Sequence, residues 1–550
     1  EAFVRLLARH VLAGATRLVP VDVDDVIRRM SRPSQQRAIN QSLDHWDSVR
    51  RGDDRRTRGK RVLVSAFLKT EGYIQGRPPR CISTVPADHN VGLLRYVHAA
   101  TDALKATVPG YAFRDPEGIS RLSVGLHERA HRLNVGYPGD SQPYVVGQSD
   151  FSNCDASGSI WTAQIEEALF EHLFPGENVH SRLHDSFNVT GVFPGMKPFA
   201  MGVGTTKSGE ADTSIRNTLV SMAITWIAMT QAHLHDVDAF LRDDNAVNEV
   251  FRQWLDAGAW GGDDATVIIG PGFVPSAECW RGVCEDLGYE CRLDVVAPHE
   301  PCRFLGRIWP HPLASTDNFC DILRRLPRFP YAVGPDALSA RRAAANRALG
   351  WLITDPDTPV VSAYCAAVLR EFGAVDFDVN DPEHSWYLRV ACQEAVELAD
   401  SFPIPSPESV AAITRIYAVD LSAKYGQVIS IERLQALEAW YRDNSISRPG
   451  VPRLVVETVT QPRIPVLIGE ELLVYRPDCA SLPPAPEPLT GPFLVPRLDW
   501  PTFWKTTATN NLTITPLHQF SKSLMVKYEP ASGRRAPEGY HYLPGREPAA

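Results

Sequence analysis

Asp263 and Asp264 follow Gly261-Gly262 and lead into the β-branched run Thr266-Val267-Ile268-Ile269. That order predicts a tight glycine turn carrying two adjacent carboxylates at the mouth of a strand. Alone, such a triplet reads better as a solvated acidic turn. Upstream, Asp150-Phe151-Ser152-Asn153-Cys154-Asp155 follows the strand-like run Tyr144-Val145-Val146. A carboxylate at a strand terminus is held rigidly with its oxygens open to a ligand. Hard oxygens of this kind suit magnesium, which keeps water and substrate phosphates in its remaining positions. Asp150, Asp263 and Asp264 are therefore the candidate catalytic and metal-binding residues, with Mg2+ or Mn2+ as the expected cofactor. That positions 150 and 263 meet is an expectation about the fold, since spacing does not prove it.

A third constellation lies between these two: Ser208-Gly209-Glu210-Ala211-Asp212-Thr213-Ser214-Ile215-Arg216-Asn217. A helix is predicted from near Thr213. Thr213 and Asn217, four apart, share one of its faces, while Ile215, Leu219, Met222, Trp226 and Met229 form an inward stripe. Ser208-Gly209 reads as a flexible loop suited to close approach by substrate or template.

Taken together and in this chain order, the three resemble motifs A, B and C of viral RNA-dependent RNA polymerases. The resemblance implies an α/β (α+β) fold shaped as a right hand of fingers, palm and thumb, the palm an antiparallel sheet flanked by helices. It implies two-metal nucleotidyl transfer from ribonucleoside triphosphates to an RNA 3′ end. Asp155 would sense the nucleotide 2′-hydroxyl, which separates RNA from DNA, with Thr213 and Asn217 beside it.

Further segments extend the likeness. Val62 to Glu71, then Gln75-Gly76-Arg77-Pro78-Pro79-Arg80, resembles motif F, making Lys69, Arg80 and Arg77 the cations that hold the triphosphate, with Glu71 positioning them. Ala277 to Leu287 is a helix candidate leading into a motif D-like stretch. Many members of the resembled family carry a Lys there as general acid, but no Lys occurs from Asp264 to Trp309; His299 lies about where it would fall and is the candidate general acid, the alternative being a plain loop histidine. Cys302 to Trp309 resembles motif E, a hairpin that grips the primer end. Pro310 to Leu326, Gly350 to Pro359 and Tyr364-Cys365 resemble the region beyond motif E in nodavirus replicases. The nodavirus-like resemblance covers roughly residues 30–370.

Of the rival readings, a reverse transcriptase is disfavoured by the Asp155 and Asn217 pair and by Gly262 directly before the aspartates. A non-catalytic RNA-binding or scaffolding relative would be expected to lose carboxylates that are all present here. A metal-dependent nuclease needs neither the Lys69/Arg80 nor the Thr213/Asn217 set.

The elements that must position these residues fall into three expected regions: fingers and palm over 1–310, a helical thumb over 311–445 and a proline-rich tail over 446–550. Helices are predicted from Gly158 onward with Ile160, Ile165 and Leu169 inward, and over Trp386 to Phe402, Glu408 to Leu421 and Ile429 to Tyr441. The Ala-rich stretch after Arg341-Arg342 is a further helix candidate. Phe3 to Pro20 reads as an amphipathic helix and not a signal peptide. The 550 residues can bury a large core, and 44% hydrophobic and 22% charged residues are ordinary for a globular chain. A net charge of −9 is neutral on RNA binding, which needs only a basic channel. Arg51 to Arg61 holds six basic residues against two Asp, a solvated loop or an RNA-facing surface.

The ten cysteines show no paired zinc-ligand spacing and read as reduced thiols. No run of apolar residues is long enough to span a bilayer, and the missing initiator Met suggests a piece of a longer protein. The expected partners are an RNA template, a primer or nascent strand, and ribonucleoside triphosphates. The family implies membrane-associated replication complexes in the host cytoplasm, reached through a region not evident in this chain.

Overall fold

The computed structural model describes residues 1–30, 63–68, 81–138, 143–179, 189–193, 204–231, 237–325, 344–372 except 346, 349 and 353, and 404–444, with Gln36, Ile39, Leu183 and the backbone of 199–200, 466–468 and 471–473. The chain divides into two compact units, one of Glu1–Ser65, Ser83–Gly191 and Pro198–Asn318, the other of Ala66–Ile82, Val192–Lys197 and Phe319–Ala550.

The first unit mixes helix and sheet. In chain order its helices are α1 (Ala2–Leu12), α2 (Val23–Arg29), α3 (Ala87–Thr107), α4 (Pro116–Val135), α5 (Cys154–Ser157), α6 (Ile160–Leu173), α7 (Thr213–Thr230), α8 (Val237–Arg242), α9 (Asp244–Leu255) and α10 (Ala277–Asp286). Two strands, β1 (Leu63–Leu68) and β2 (Cys81–Thr84), precede the central sheet. That sheet contains β3 (Val145–Ser152), and two short strands, β4 (Thr190–Val192) and β5 (Phe199–Ala200), follow β3 in sequence. The remaining sheet strands are β6 (Gly258–Gly261), β7 (Asp264–Ile269) and β8 (Glu290–Val296), arranged β6-β7-β3-β8 with every neighbouring pair antiparallel. The apolar run of β7 is buried from Ala265 to Ile269, as expected of a strand covered on both faces.

Local chemistry sets the ends of these elements. Asp115 caps α4 by accepting from Gly118 N, with Pro116 at the first helical position. Ser159 and Thr162 form a reciprocal capping box at the start of α6. Helix α1 turns Phe3, Leu6, Leu7 and Val11 into the core, where the Phe3 ring meets Trp226 and Trp254. In α6 Leu169 is buried and Ile165 packs on the core, but Ile160 is 46% exposed. The first turn of α6 overhangs the core, so the expected inward position of Ile160 is corrected.

A second departure concerns α7. It is buried on nearly every side from Ile215 to Met229, where an amphipathic helix with one inward stripe was expected. Asn217 is thus an interior amide, 7% exposed.

A short hairpin, β9 (Cys302–Phe304) and β10 (Arg307–Trp309), turns through Leu305 and Gly306, both in the left-handed region at φ 49 and 73. That is the two-residue turn whose twist matches paired strands.

From Phe319 to Asn444 the described part of the second unit holds one short strand, β11 (Phe319–Cys320), and the helices α11 (Ile322–Arg325), α12 (Val361–Phe372), α13 (Pro407–Tyr425) and α14 (Ile431–Asp443). Asp355, 2% exposed, is its anchor, accepting from Cys320 N and Thr358 Oγ1, each at 3.0 Å. Ser406 and Ser430 cap α13 and α14; α13 contains the expected span Glu408 to Leu421, while α14 begins two residues later than the expected Ile429, because Ser430 serves as its cap. The expected helix Trp386 to Phe402 lies outside the described residues. Within the proline-rich segment, β12 (Val466–Ile468) and β13 (Glu471–Leu473) pair antiparallel. Among the described residues no helix is long and apolar enough to cross a membrane.

Candidate active site

Strand β3 runs through the middle of the sheet and delivers Asp150 near its end. Asp150 stands across the ladder from Asp264 on β7 and from Arg292 on β8. Directly opposed residues of a sheet project to the same face, so the two carboxylates and the guanidinium share a face. Between β6 and β7 the chain turns on Gly262 and Asp263, with Gly261 and Asp264 as the closing pair. Gly262 has φ +70 and Asp263 does not share the positive φ. This is the type II′ pattern, which calls for glycine at its first central position. Asp263 is exposed at the tip, while Gly262 beneath it is buried.

The fold therefore brings Asp150, Asp263 and Asp264 to one end of one sheet. A buried thiol registers the convergence: Cys154 is pushed far above its ordinary value, first by burial and then by the fields of Asp263, Asp155 and Asp150. Among the described residues no three His, Cys, Asp or Glu side chains form a ready-made metal cage. Magnesium needs none, being held through one or two carboxylates with water and phosphate completing its shell. The donor set, carboxylate oxygens on adjacent strands, fits a hard divalent ion.

After β3 the chain reverses through Asn153, at φ 52, a left-handed position that Asn tolerates. Short α5 then presents Asp155. Asn217 Nδ2 donates to Asp155 Oδ1 at 2.9 Å, and Thr206 N donates to the Asp155 carbonyl at 3.0 Å. The pair expected from motifs A and B is thus formed. Thr213 does not join it: its hydroxyl is engaged with the carbonyls of Lys207 at 2.6 Å and Glu210 at 2.9 Å, closing the loop before α7.

That loop is pinned. Ser208 Oγ accepts from Ser83 N at 3.1 Å, and Gly209 N donates to Ser83 O at 2.8 Å. A Cβ on Gly209 would lie 2.5 Å from Ser83 O. The close approach this glycine permits is therefore to the chain's own backbone at the end of β2.

Behind the loop lies a buried ionic cluster that the sequence did not announce. Arg216 Nε donates to Glu166 Oε2 at 2.7 Å, and its Nη2 pairs with Asp212. Lys207 Nζ lies 3.7 Å and His89 Nε2 3.6 Å from the Glu210 carboxylate. Burial pushes Glu166 well up, Asp212 adding to the push and Arg216 opposing it. For Glu210 burial also pushes upward, but His89, Arg216 and Lys207 outweigh it and the carboxyl sits below its ordinary value.

Other missed residues are hydroxyls on α7. Thr218 Oγ1 accepts from Gly262 N at 2.9 Å, Ser221 Oγ donates to Gly262 O at 2.9 Å, and Trp260 Nε1 donates to Thr225 Oγ1 at 2.8 Å. The only sequence signal was their spacing, which places three hydroxyls on one side of the helix. Leu305, from the β9–β10 turn, packs where a Cβ on Gly261 would come within 3.0 Å of its Cδ2. The motif E-like hairpin thereby abuts the acidic turn.

His299 is exposed in the turn after β8. That strand ends with Val296 opposite Val146, four residues along β3 from Asp150, about 13 Å at the usual strand rise. The fold does not bring His299 to the carboxylates. The cation at their end of β8 is Arg292, which meets Asp294 at 3.0 Å. Lys69, Arg77 and Arg80 lie outside the described residues.

No family model matches the chain. The class to which its relatives belong is RNA-directed RNA polymerase. The particular relatives are nodaviral: the chain is 24% identical over 340 residues to the RNA-directed RNA polymerase of Pariacoto virus, covering 60% of this chain and 31% of that protein. With the enzyme of Macrobrachium rosenbergii nodavirus it is 25% identical over 382 residues, 67% of this chain and 32% of that one. The chain thus spans about a third of the length of the curated relatives it matches. The resemblance read from the motifs is borne out. Among solved structures, the RNA-dependent RNA polymerase of a human picobirnavirus aligns with a TM-score of 0.47 and 13% identity over 79% of each chain.

Proposed function

We propose that this chain is the polymerase core of an RNA-directed RNA polymerase that copies a positive-strand RNA genome, of the nodavirus-like group. In this reading the sheet β6-β7-β3-β8 is the palm of a right hand and the helices of the second unit belong to its thumb. The observation that carries it is the pairing of Asp150 with Asp264 across the ladder, with Asp263 on the turn between.

The chain's own residues divide the work. Asp150 and Asp263 offer oxygens at the sheet end, with Asp264 completing the set. Mg2+ or Mn2+ bound there would supply charge compensation for the triphosphate and a more acidic primer 3′-hydroxyl. The 3′-hydroxyl loses its proton to solvent water as its oxygen bonds to the α-phosphorus, the bond to the β-phosphate oxygen breaks, and pyrophosphate leaves with that electron pair. Most of the rate enhancement comes from positioning and electrostatic preorganisation. Asp155, oriented by Asn217, receives the ribose 2′-hydroxyl. Ser208 and Gly209 border the nucleotide, and Lys69, Arg77 and Arg80 hold its phosphates. The geometry favours Arg292 over His299 as the cation facing the leaving group, acting by charge since a guanidinium does not give up its proton. The partners are an RNA template, a primer or nascent strand and ribonucleoside triphosphates, in replication complexes on host membranes.

The test is incorporation of labelled ribonucleotides on a homopolymeric RNA template with Mg2+ or Mn2+. Template-dependent product that disappears in Asp263→Ala supports the reading. Activity unchanged by that substitution refutes the site, and a folded, RNA-binding chain that makes no product refutes catalysis by this core.

A further inference from the structure

Helix α7 is buried on nearly all sides, yet it places Thr218, Ser221 and Thr225 at 0% exposure. A hydroxyl taken out of water is costly unless bonded, so each needs a partner. Positions separated by three and seven lie on one helix face, and here that face meets the β6–β7 hairpin. The polarity of two bonds is determined. Thr218 Oγ1 gives its proton to Ser214 O at 2.7 Å, leaving a lone pair for Gly262 N–H. Thr225 does the same with Ser221 O at 2.9 Å and the Trp260 indole. Ser221 Oγ lies nearer Gly262 O, at 2.9 Å, than the helix carbonyl of Asn217, at 3.2 Å.

Both backbone polar groups of Gly262 are therefore held by α7, one residue before Asp263. A two-residue turn is the part of a hairpin with fewest constraints of its own, and glycine at its first position adds backbone freedom. The same helix holds Asp155 through Asn217 and is itself anchored through Arg216 to Glu166. One rod thus sets two acidic groups that come from different segments of the chain.

We propose that Thr218 and Ser221 are positioning residues that set the divalent-cation affinity of Asp263 by fixing both backbone polar groups of Gly262. This rests on the reading of Asp263 as a metal ligand. Thr225, which holds Trp260 farther down the hairpin, contributes to stability and not to metal affinity.

The experiment measures Mn2+ binding to the full chain without nucleotide, following the free-ion electron paramagnetic resonance signal, with thermal unfolding alongside. Asp263→Asn removes the tight site. Thr218→Val and Ser221→Ala each raise the Mn2+ dissociation constant about tenfold, the equivalent of one buried hydrogen bond left unmade. Thr218→Ser, which keeps the hydroxyl, stays within about twofold of the parent. Thr225→Val lowers the unfolding temperature and leaves Mn2+ affinity unchanged. Ser221→Ala removes a single oxygen and carries the test if Thr218→Val does not fold. Parent-like Mn2+ affinity in Thr218→Val and Ser221→Ala overturns the proposal, as does equal weakening in Thr225→Val. Mn2+ binding indifferent to Asp263→Asn overturns the metal reading itself, and this proposal with it.

Discussion

Asn217, in the interior of one helix, donates its side-chain amide to Asp155, which lies 62 positions earlier on a separate turn. The bond leaves the Asp155 carboxylate oriented but still half-buried and accessible. An acceptor held in this way can distinguish a ribose that offers a 2′-hydroxyl from one that does not.

Loss of that orientation is expected to show as lost sugar discrimination. For Asn217→Ala, the ratio of kcat/KM for ATP over dATP on a polyuridylate template falls about 10- to 100-fold, the value of one charge-assisted hydrogen bond. An unchanged ratio would separate Asp155 from ribose recognition.

The carboxylates at the sheet end are expected to act as a unit. Asp150→Asn and Asp263→Ala each reduce kcat on the order of 10³-fold or more, and the double variant loses little beyond either single one. Chelation of the divalent ion abolishes incorporation in the parent. Additive losses in single-turnover kinetics would assign the two residues to separate tasks.

The ionic cluster behind the motif B-like loop predicts an asymmetry. Arg216→Met leaves Glu166 and Asp212 buried without their cation and costs about 3–5 kcal/mol in urea unfolding. Glu166→Gln costs much less, because burial and Asp212 already push that carboxyl towards its neutral form. Equal costs for the two would mean that the cluster is held by shape and not by charge.

His127 predicts a pH effect. It is fully buried with Nδ1 2.9 Å from Pro298 O, and burial lowers its value to about 4, the carbonyl opposing slightly. A histidine unfolds to about 6.5, so between these values the unfolded chain binds the extra proton. Stability is therefore fully present above about pH 6.5 and is lost as pH falls towards 4, by about 3 kcal/mol. Urea midpoints for the parent and His127→Gln measure it: the slope in that window flattens in the variant.

Much of the local structure around the candidate site was legible in the amino-acid order. Asp150 after a hydrophobic run, and Asp263 between Gly262 and a β-branched strand, are local patterns. Turn stereochemistry and strand alternation act over a few residues and need no partner to be read. The start of α7 at Thr213 is of the same kind.

What needed the folded chain is whatever depends on partners distant in sequence. The register that sets Asp150 opposite Asp264 and Arg292 comes from three segments aligning their buried faces. His299 was a plausible acid by sequence distance, yet β8 runs antiparallel to β3 and carries it to the far end of the ladder. Ser208-Gly209 read as a free loop, because nothing in its composition reveals the backbone of Ser83 against it. Spacing aside, Thr218, Ser221 and Thr225 carry no local signal that sets them apart from the other polar residues of α7. Their meaning emerges only when the helix is enclosed, because burial turns each hydroxyl into an obligation to find a partner. Residue identity thus specified which groups could do the chemistry, and long-range packing alone decided which of them meet.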